Sequence, residues 1–217
     1  MIIQRGSKLL MIGDSITDCG RARPMGEAAD NGLGDGYVAL VDAWLRAAHP
    51  AWPVGIVNMG ISGDTVRDLR ARWQTDVLDQ APDWLSIFIG INDVWRRFGD
   101  AAQMAEHVPM DEYAATLEEL VSDTRPRLQG LVMLTPFFIE PDTGEPMRAM
   151  MDRYGQVVAD VAARHDAILI DTQAAFDAVL EHVPPMALSL DRVHPYLTGH
   201  MILALAFWRG IGARDGS

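Results

Sequence analysis

The chain has 217 residues, 49% of them hydrophobic, with 18 basic against 30 acidic side chains and a formal net charge of −12. That balance excludes a nucleic-acid partner, which needs a basic footprint. The arginine groups Arg21 with Arg23, Arg67 with Arg70 and Arg72, and Arg96 with Arg97 have acids interspersed and read as solvated faces. One cysteine, Cys19, excludes an intramolecular disulfide and suits a reducing compartment, so a cytoplasmic location is expected.

The opening residues 1–6 contain no basic segment leading into an apolar stretch, so no secretory signal is read there. The longest apolar runs, such as 201–208, are far too short to span a bilayer, and no membrane partner is expected. Length and the absence of repeats or linkers predict one domain over residues 1–217.

In chain order, a short apolar run at 9–12 predicts the first strand. A helix follows over 37–48, where Val38, Val41, Trp44 and Leu45 recur at helical spacing and Asp42 and Arg46 share the wet face. The second strand is expected at 54–57, a helix at 65–78, the third strand at 84–89 and a helix at 111–124. The fourth strand falls at 131–134, a long helix at 146–165, the fifth strand at 167–170 and a closing helix at 198–210. Every run is short and apolar on both faces, as strands of a covered parallel sheet are, and the alternation predicts an α/β fold with right-handed crossovers. The least regular stretches, 19–35, 94–109 and 136–145, follow strands or motifs, where open α/β sheets carry their sites.

Ser15 stands in Gly13-Asp14-Ser15-Ile16-Thr17, directly after the first strand. A hydroxyl there is held at the sheet's C-terminal edge beside unpaired N–H groups, as a nucleophile must be. The same pentapeptide reads equally as an ordinary helix cap and turn. A serine nucleophile needs a base. His194, in Asp191-Arg192-Val193-His194-Pro195, lies within one turn of Asp191, so the carboxylate can accept from one ring nitrogen while the other faces Ser15. Oxyanion donors are available at two further strand ends. Gly63 in Asn58-Met59-Gly60-Ile61-Ser62-Gly63-Asp64-Thr65 offers a backbone N–H, and Asn92 in Gly90-Ile91-Asn92-Asp93 a side-chain amide. Each is weak alone. Together they place a nucleophile, donors and an acid–base pair on the same sheet edge.

These four blocks, in this order, resemble the SGNH (GDSL) hydrolase family from about Lys8 to the final helix, with Ile16 where leucine is usual. The resemblance implies a flavodoxin-like three-layer α/β/α sandwich with a five-stranded parallel sheet, and no cofactor. It also implies Ser15, Asp191 and His194 as catalytic triad and Ser15, Gly63 and Asn92 as oxyanion hole. The runs Thr17-Asp18-Cys19-Gly20-Arg21-Ala22-Arg23-Pro24, Gly36-Tyr37-Val38, Gly90-Ile91-Asn92-Asp93-Val94-Trp95-Arg96 and Thr135-Pro136-Phe137 are similar to the bacterial intracellular acetylxylan esterases of that family. The implied substrate is an acetylated carbohydrate. That branch favours an aromatic residue where Leu190 stands. A lipid-like acyl esterase or thioesterase on the same fold is the alternative, and a non-catalytic sugar-binding protein a further one.

Other templates fail. Ser62 lacks the second glycine of a Gly-x-Ser-x-Gly elbow, the 32–36 glycines follow no strand, and no His-Glu-x-x-His or Cys-x-x-Cys points to a metal. Cys19 reads as a small packing residue and His200 as packing or capping the last helix. Of the six tryptophans, Trp44, Trp73, Trp84 and Trp208 are expected in the core and Trp52 packed before the second strand. Trp95, in the loop after Asn92, is the candidate substrate contact. Arg96 and Arg97 are expected to solvate or pair. Many methionines and tryptophans and few lysines point to apolar surface that a homo-oligomer would cover.

Overall fold

The five apolar runs become the five strands of one all-parallel sheet, β1 (Lys8–Gly13), β2 (Gly55–Asn58), β3 (Trp84–Phe88), β4 (Gly130–Leu134) and β5 (Ile168–Ile170), in the spatial order β2-β1-β3-β4-β5. The computed structural model describes residues 1–23 and 31–212, so Pro24 of the quoted motif lies outside the described residues. Every residue of β3 and β4 is buried, as both-face burial demands. β5 departs from that pattern. It is an edge strand, and its Leu169 is exposed rather than covered.

The connections are helical. α1 (Ser15–Asp18) is a single turn, followed by α2 (Tyr37–Ala48), α3 (Val66–Trp73), α4 (Ile91–Trp95), α5 (Ala101–Glu106) and α6 (Met110–Thr124). After β4 come α7 (Pro146–Arg164), α8 (Thr172–Leu180), α9 (Pro185–Leu188) and α10 (Leu197–Gly210). α2 packs on α10 and α10 on α8, while α3, α6 and α7 pack in series, giving helix layers on the two sides of the sheet. One apolar core joins strands and helices. Local chemistry sets the helix starts. Thr65 before α3 donates its N–H to Asp68 at 2.8 Å, and Pro146 opens α7 while Glu145 accepts the Arg148 N–H at 2.7 Å.

Four expectations are corrected. The 65–78 helix is α-helical only to Trp73 and ends in a π turn, Gln74–Leu78. The 94–109 stretch is not irregular. It contains the end of α4, a 3₁₀ turn at Arg96–Phe98 and α5, whose N-cap Asp100 accepts from Ala102 and Gln103. α5 buries no residue, so it carried no apolar period to detect. Asp42 does pair with Arg46, at 2.7 Å, but it is buried (7% exposed) beneath an arginine side chain that is 61% exposed. The long arginine stem lets its charge cover an inward carboxylate. Trp52 is exposed, although its Nε1 donates to the Ile3 carbonyl at 3.0 Å. Trp73, Trp84 and Trp208 are core residues, and the half-buried Trp44 stacks on Trp208 at 4.6 Å.

Candidate active site

Because β1 lies between β2 and β3, the loops leaving these three strands stand side by side at the C-terminal sheet edge. Gly13 ends β1 where any Cβ would strike the Phe88 carbonyl at 2.3 Å, so the chain turns there tightly against β3. Asp14 caps α1 by accepting the Ile16 N–H at 2.9 Å, and Ser15 becomes the first helical residue.

The serine and the C-terminal histidine meet. Ser15 Oγ lies 2.9 Å from His194 Nε2, and His194 Nδ1 lies 2.7 Å from Asp191 Oδ2. An Nδ1–H donated to the carboxylate leaves Nε2 as acceptor for the serine hydroxyl. Asp191 Oδ1 accepts three further bonds, from the Val193 and His194 N–H groups at 2.9 and 2.8 Å and from the Ser189 hydroxyl at 2.9 Å. Partial burial raises the Asp191 pKa. The bonds from His194, Val193 and Ser189 outweigh that effect and hold the carboxyl well below the ordinary carboxylate range. Arg192, at φ +64°, lets the Asp191–His194 turn close. Its carbonyl accepts the Ile139 N–H at 2.9 Å, and its guanidinium pairs with Glu140 and lies over the Phe138 ring at 4.8 Å.

The loop after β2 presents one free donor. Gly60 bonds its N–H to Asn58 Oδ1, Ile61 to the Gly13 carbonyl, Ser62 to Asp18 Oδ2, Asp64 to the Ile61 carbonyl, Thr65 to Asp68 and Val66 to Asp93. The Gly63 N–H, at φ +88°, has no such partner among the described residues. Gly63 is only partly buried and lines the cleft, so this N–H is open to whatever occupies the cleft. Gly60 must be glycine, since a Cβ would lie 2.2 Å from the Asp18 nitrogen. After β3, Gly90 at φ +126° opens α4, and the Asn92 amide donates one N–H to the Asp64 carbonyl at 2.9 Å, leaving its second. Ser15, Gly63, Asn92, Trp95 and His194 line one cleft of about 540 Å³. The Trp95 ring also meets the His194 imidazole edge-to-face at 5.4 Å.

Sequence reasoning gave Cys19 no base, yet Cys19 Sγ borders the cleft 3.4 Å from His200 Nε2. His200 Nδ1 accepts the Tyr37 N–H at 3.2 Å, so the neutral ring carries its proton on Nε2 and cannot take one from the thiol. Burial, then the nearby His194, lowers the His200 pKa to about 4, while burial and Asp35 raise that of the thiol. Two further carboxyls went unread. Asp14 and Asp93 are fully buried, each keeps one oxygen without a partner among the described residues, and burial raises both to about 7. The role of Asn58 was also missed, and Arg72, read as part of a solvated face, is instead largely buried in ion pairs with Asp64 and Asp76. Asn58 bonds the Thr17 and Leu33 carbonyls, and Arg72 ties Asp64 to the Gly13 and Met59 carbonyls. Among the described residues no group of three or more His, Cys, Asp or Glu side chains could hold a metal ion, and no helix is long and apolar enough to cross a membrane.

The fold and the site define an ester hydrolase: the chain belongs to the GDSL-like Lipase/Acylhydrolase family, whose model matches residues 11–202. It is 55% identical over 212 residues to an acetylxylan esterase of Geobacillus stearothermophilus, covering 98% of this chain and 97% of that one. The crystal structure of Axe2, an acetylxylan esterase from the same organism, superposes with a TM-score of 0.97 at 55% identity over 100% of this chain and 99% of that one. Solved variants of Axe2 described as catalytic mutants replace a serine, a histidine and an aspartate by alanine. LAE5, an alpha/beta hydrolase from the metagenome of Lake Arreo, matches at TM-score 0.95 and 49% identity over 98% of each chain.

Proposed function

We propose that this chain is a serine esterase that removes acetyl groups from xylo-oligosaccharides or related carbohydrates. Ser15, Asp191 and His194 form its triad, and Ser15, Gly63 and Asn92 its oxyanion hole. Ser15 Oγ attacks the acetyl carbonyl as His194 Nε2 takes its proton. Asp191 holds the imidazole tautomer and stabilises the imidazolium. The developing oxyanion is met by the N–H groups of Ser15 and Gly63 and by the free N–H of the Asn92 amide. His194 returns its proton to the departing sugar oxygen, and water then hydrolyses the acetyl-enzyme by the same relay. Trp95, on the cleft wall, offers an apolar face to the sugar.

The observation that carries this reading is the hydrogen-bond chain Asp191–His194–Ser15 sharing a cleft with a Gly63 N–H that has no partner among the described residues. The catalytic serine, histidine and aspartate of Axe2 support it by residue type, and the acetylxylan esterase relatives support the substrate class. Turnover of p-nitrophenyl esters of increasing chain length, then of acetylated xylo-oligosaccharides, tests it. Acetyl preference and release of acetate from the sugar are expected. A preference for long acyl chains overturns the substrate in favour of a lipid-like ester, and no turnover at all favours a binding protein.

We propose further that residues 1–217 act as one catalytic domain, in a reducing, cytoplasmic setting that suits a lone cysteine, and that copies associate. Leu197, Met201 and Leu205 recur every fourth residue along α10 and are exposed, with Leu190 and Tyr196 beside them in sequence. Such a stripe is what a homo-oligomer covers. A monomer mass in light scattering at micromolar concentration overturns that association.

A further inference from the structure

The free Gly63 N–H belongs to the peptide unit joining Ser62 to Gly63, and what holds that unit in place is not evident from the triad. Gly63 lacks a Cβ and sits in the left-handed region, so its own backbone offers little resistance to rotation. The peptide units on either side of it are instead held by charged groups. On one side, Asp18 Oδ2 accepts the Ser62 N–H at 3.1 Å and the Ser62 hydroxyl at 2.9 Å. On the other side, the Gly63 carbonyl accepts from Arg96 Nη2 at 2.5 Å. The second arm of the same guanidinium meets Glu106 of α5 at 3.0 Å.

Arg96 does not act in isolation. It stands one turn beyond Asn92, and the two side chains take consecutive carbonyls of the β2–α3 loop, those of Gly63 and Asp64. Between them Asp93 accepts the Val66 N–H at 3.0 Å. One short segment after β3 therefore grips three successive parts of the loop that follows β2. α5 is tied back to this segment a second time, by His107 Nδ1 against the Asp93 carbonyl at 2.7 Å.

We propose that Arg96 is a positioning residue for ester hydrolysis: by gripping the Gly63 carbonyl, it keeps the adjoining Gly63 N–H aimed at the acyl oxygen. This rests on the esterase reading above. A charge-assisted bond to a carbonyl resists peptide rotation better than a neutral one. Donors aimed in advance at the developing charge lower the barrier without a comparable effect on ground-state binding. The loss of Arg96 should therefore appear in kcat rather than in KM.

The test compares the unaltered protein with Arg96→Ala and with Arg96→Met, which keeps the arginine stem and its packing while deleting the donors. Rates of p-nitrophenyl acetate hydrolysis and of Ser15 labelling by a fluorophosphonate are measured with and without millimolar guanidinium chloride. Expected for both variants is a fall in kcat of about 10- to 10²-fold, somewhat below the loss of a direct donor, with KM moved less than about threefold. The labelling rate falls in step, and guanidinium restores part of both. Unchanged kcat in Arg96→Met, a loss confined to KM, or a kcat loss with no guanidinium recovery overturns the proposal while Ser15 labelling of the unaltered protein still stands. If the unaltered protein neither turns over ester nor labels at Ser15, the esterase reading fails first and this inference falls with it.

Discussion

Ser15 and His194 are 179 positions apart in the chain, yet the serine Oγ and the imidazole Nε2 stand 2.9 Å from each other. The strand β1 brings one, and the turn closed on Asp191 brings the other. Replacing either by alanine is expected to lower turnover by on the order of 10⁴–10⁶, and the double variant to be little worse, because the proposed members act as a unit. Asp191→Ala costs less if it orients rather than transfers. Steady-state rates together with peptide mapping of a fluorophosphonate adduct check this. An adduct on another serine, with Ser15→Ala still active, would refute the triad.

Asn92→Ala removes the amide that spans the cleft and the Asp64 carbonyl. A donor aimed at developing charge is worth about 10²–10³ in turnover, and substrate affinity should change far less. A normal rate in this variant would reduce Asn92 to a turn residue that merely braces the loop.

Trp95 faces both the cleft and His194, and its two possible duties separate by substrate. If the indole carries the sugar, Trp95→Phe should raise KM for acetylated xylo-oligosaccharides by about 3- to 10-fold, the scale of a lost apolar contact of roughly 1 kcal/mol, and leave p-nitrophenyl acetate nearly untouched. Equal losses on both substrates would assign the ring to bracing the imidazole.

Asp14 and Asp93 make stability depend on pH. Each carboxyl rises on folding from an ordinary 3.8 to about 7, chiefly through burial. Folding therefore takes up protons across that interval. The stability tied to the neutral form is complete below about pH 4 and is lost as pH climbs through about 7. Asp14→Asn and Asp93→Asn keep the accepting oxygen and cannot ionise. Each variant should gain on the unaltered protein in melting temperature at pH 8 relative to its standing at pH 4. A difference that stays constant with pH would contradict the buried-acid account.

Much of this architecture was legible because parallel strands buried on both faces are short continuous apolar runs, and the runs around Leu10, Val57, Ile87, Met133 and Ile170 became strands within a residue or two. The candidate site was legible only in combination: Ser15, Gly63, Asn92 and the Asp191–His194 spacing each suit ordinary caps and turns, and their joint placement after strands marked them as one site. The rest depended on meetings between distant segments. Nothing local to Cys19 announces His200, and nothing local to Arg96 announces the Gly63 carbonyl. Asp14 and Asp93 went unread because a carboxylate gives no sign in sequence that it will be buried. α5 was missed for the opposite reason, since a helix that buries nothing leaves no periodic trace.

The strand order β2-β1-β3 divides the site into a fixed half and a yielding half. The segments bearing Ser15, Gly63 and Asn92 spring from three neighbouring strands and are cross-tied through Asp18, Asp93 and buried Asn58, so they move only as the sheet moves. His194 and Asp191 ride a surface turn with side chains 45% and 40% exposed, moored to the sheet side through Arg192 and the 138–140 segment. In the proposed mechanism, thermal fluctuation would therefore change when the proton can be passed, and leave unaltered the direction from which the carbonyl is received. Amide hydrogen exchange should be faster over 189–194 than over 58–66, with the slow half marking where the reaction's geometry is stored.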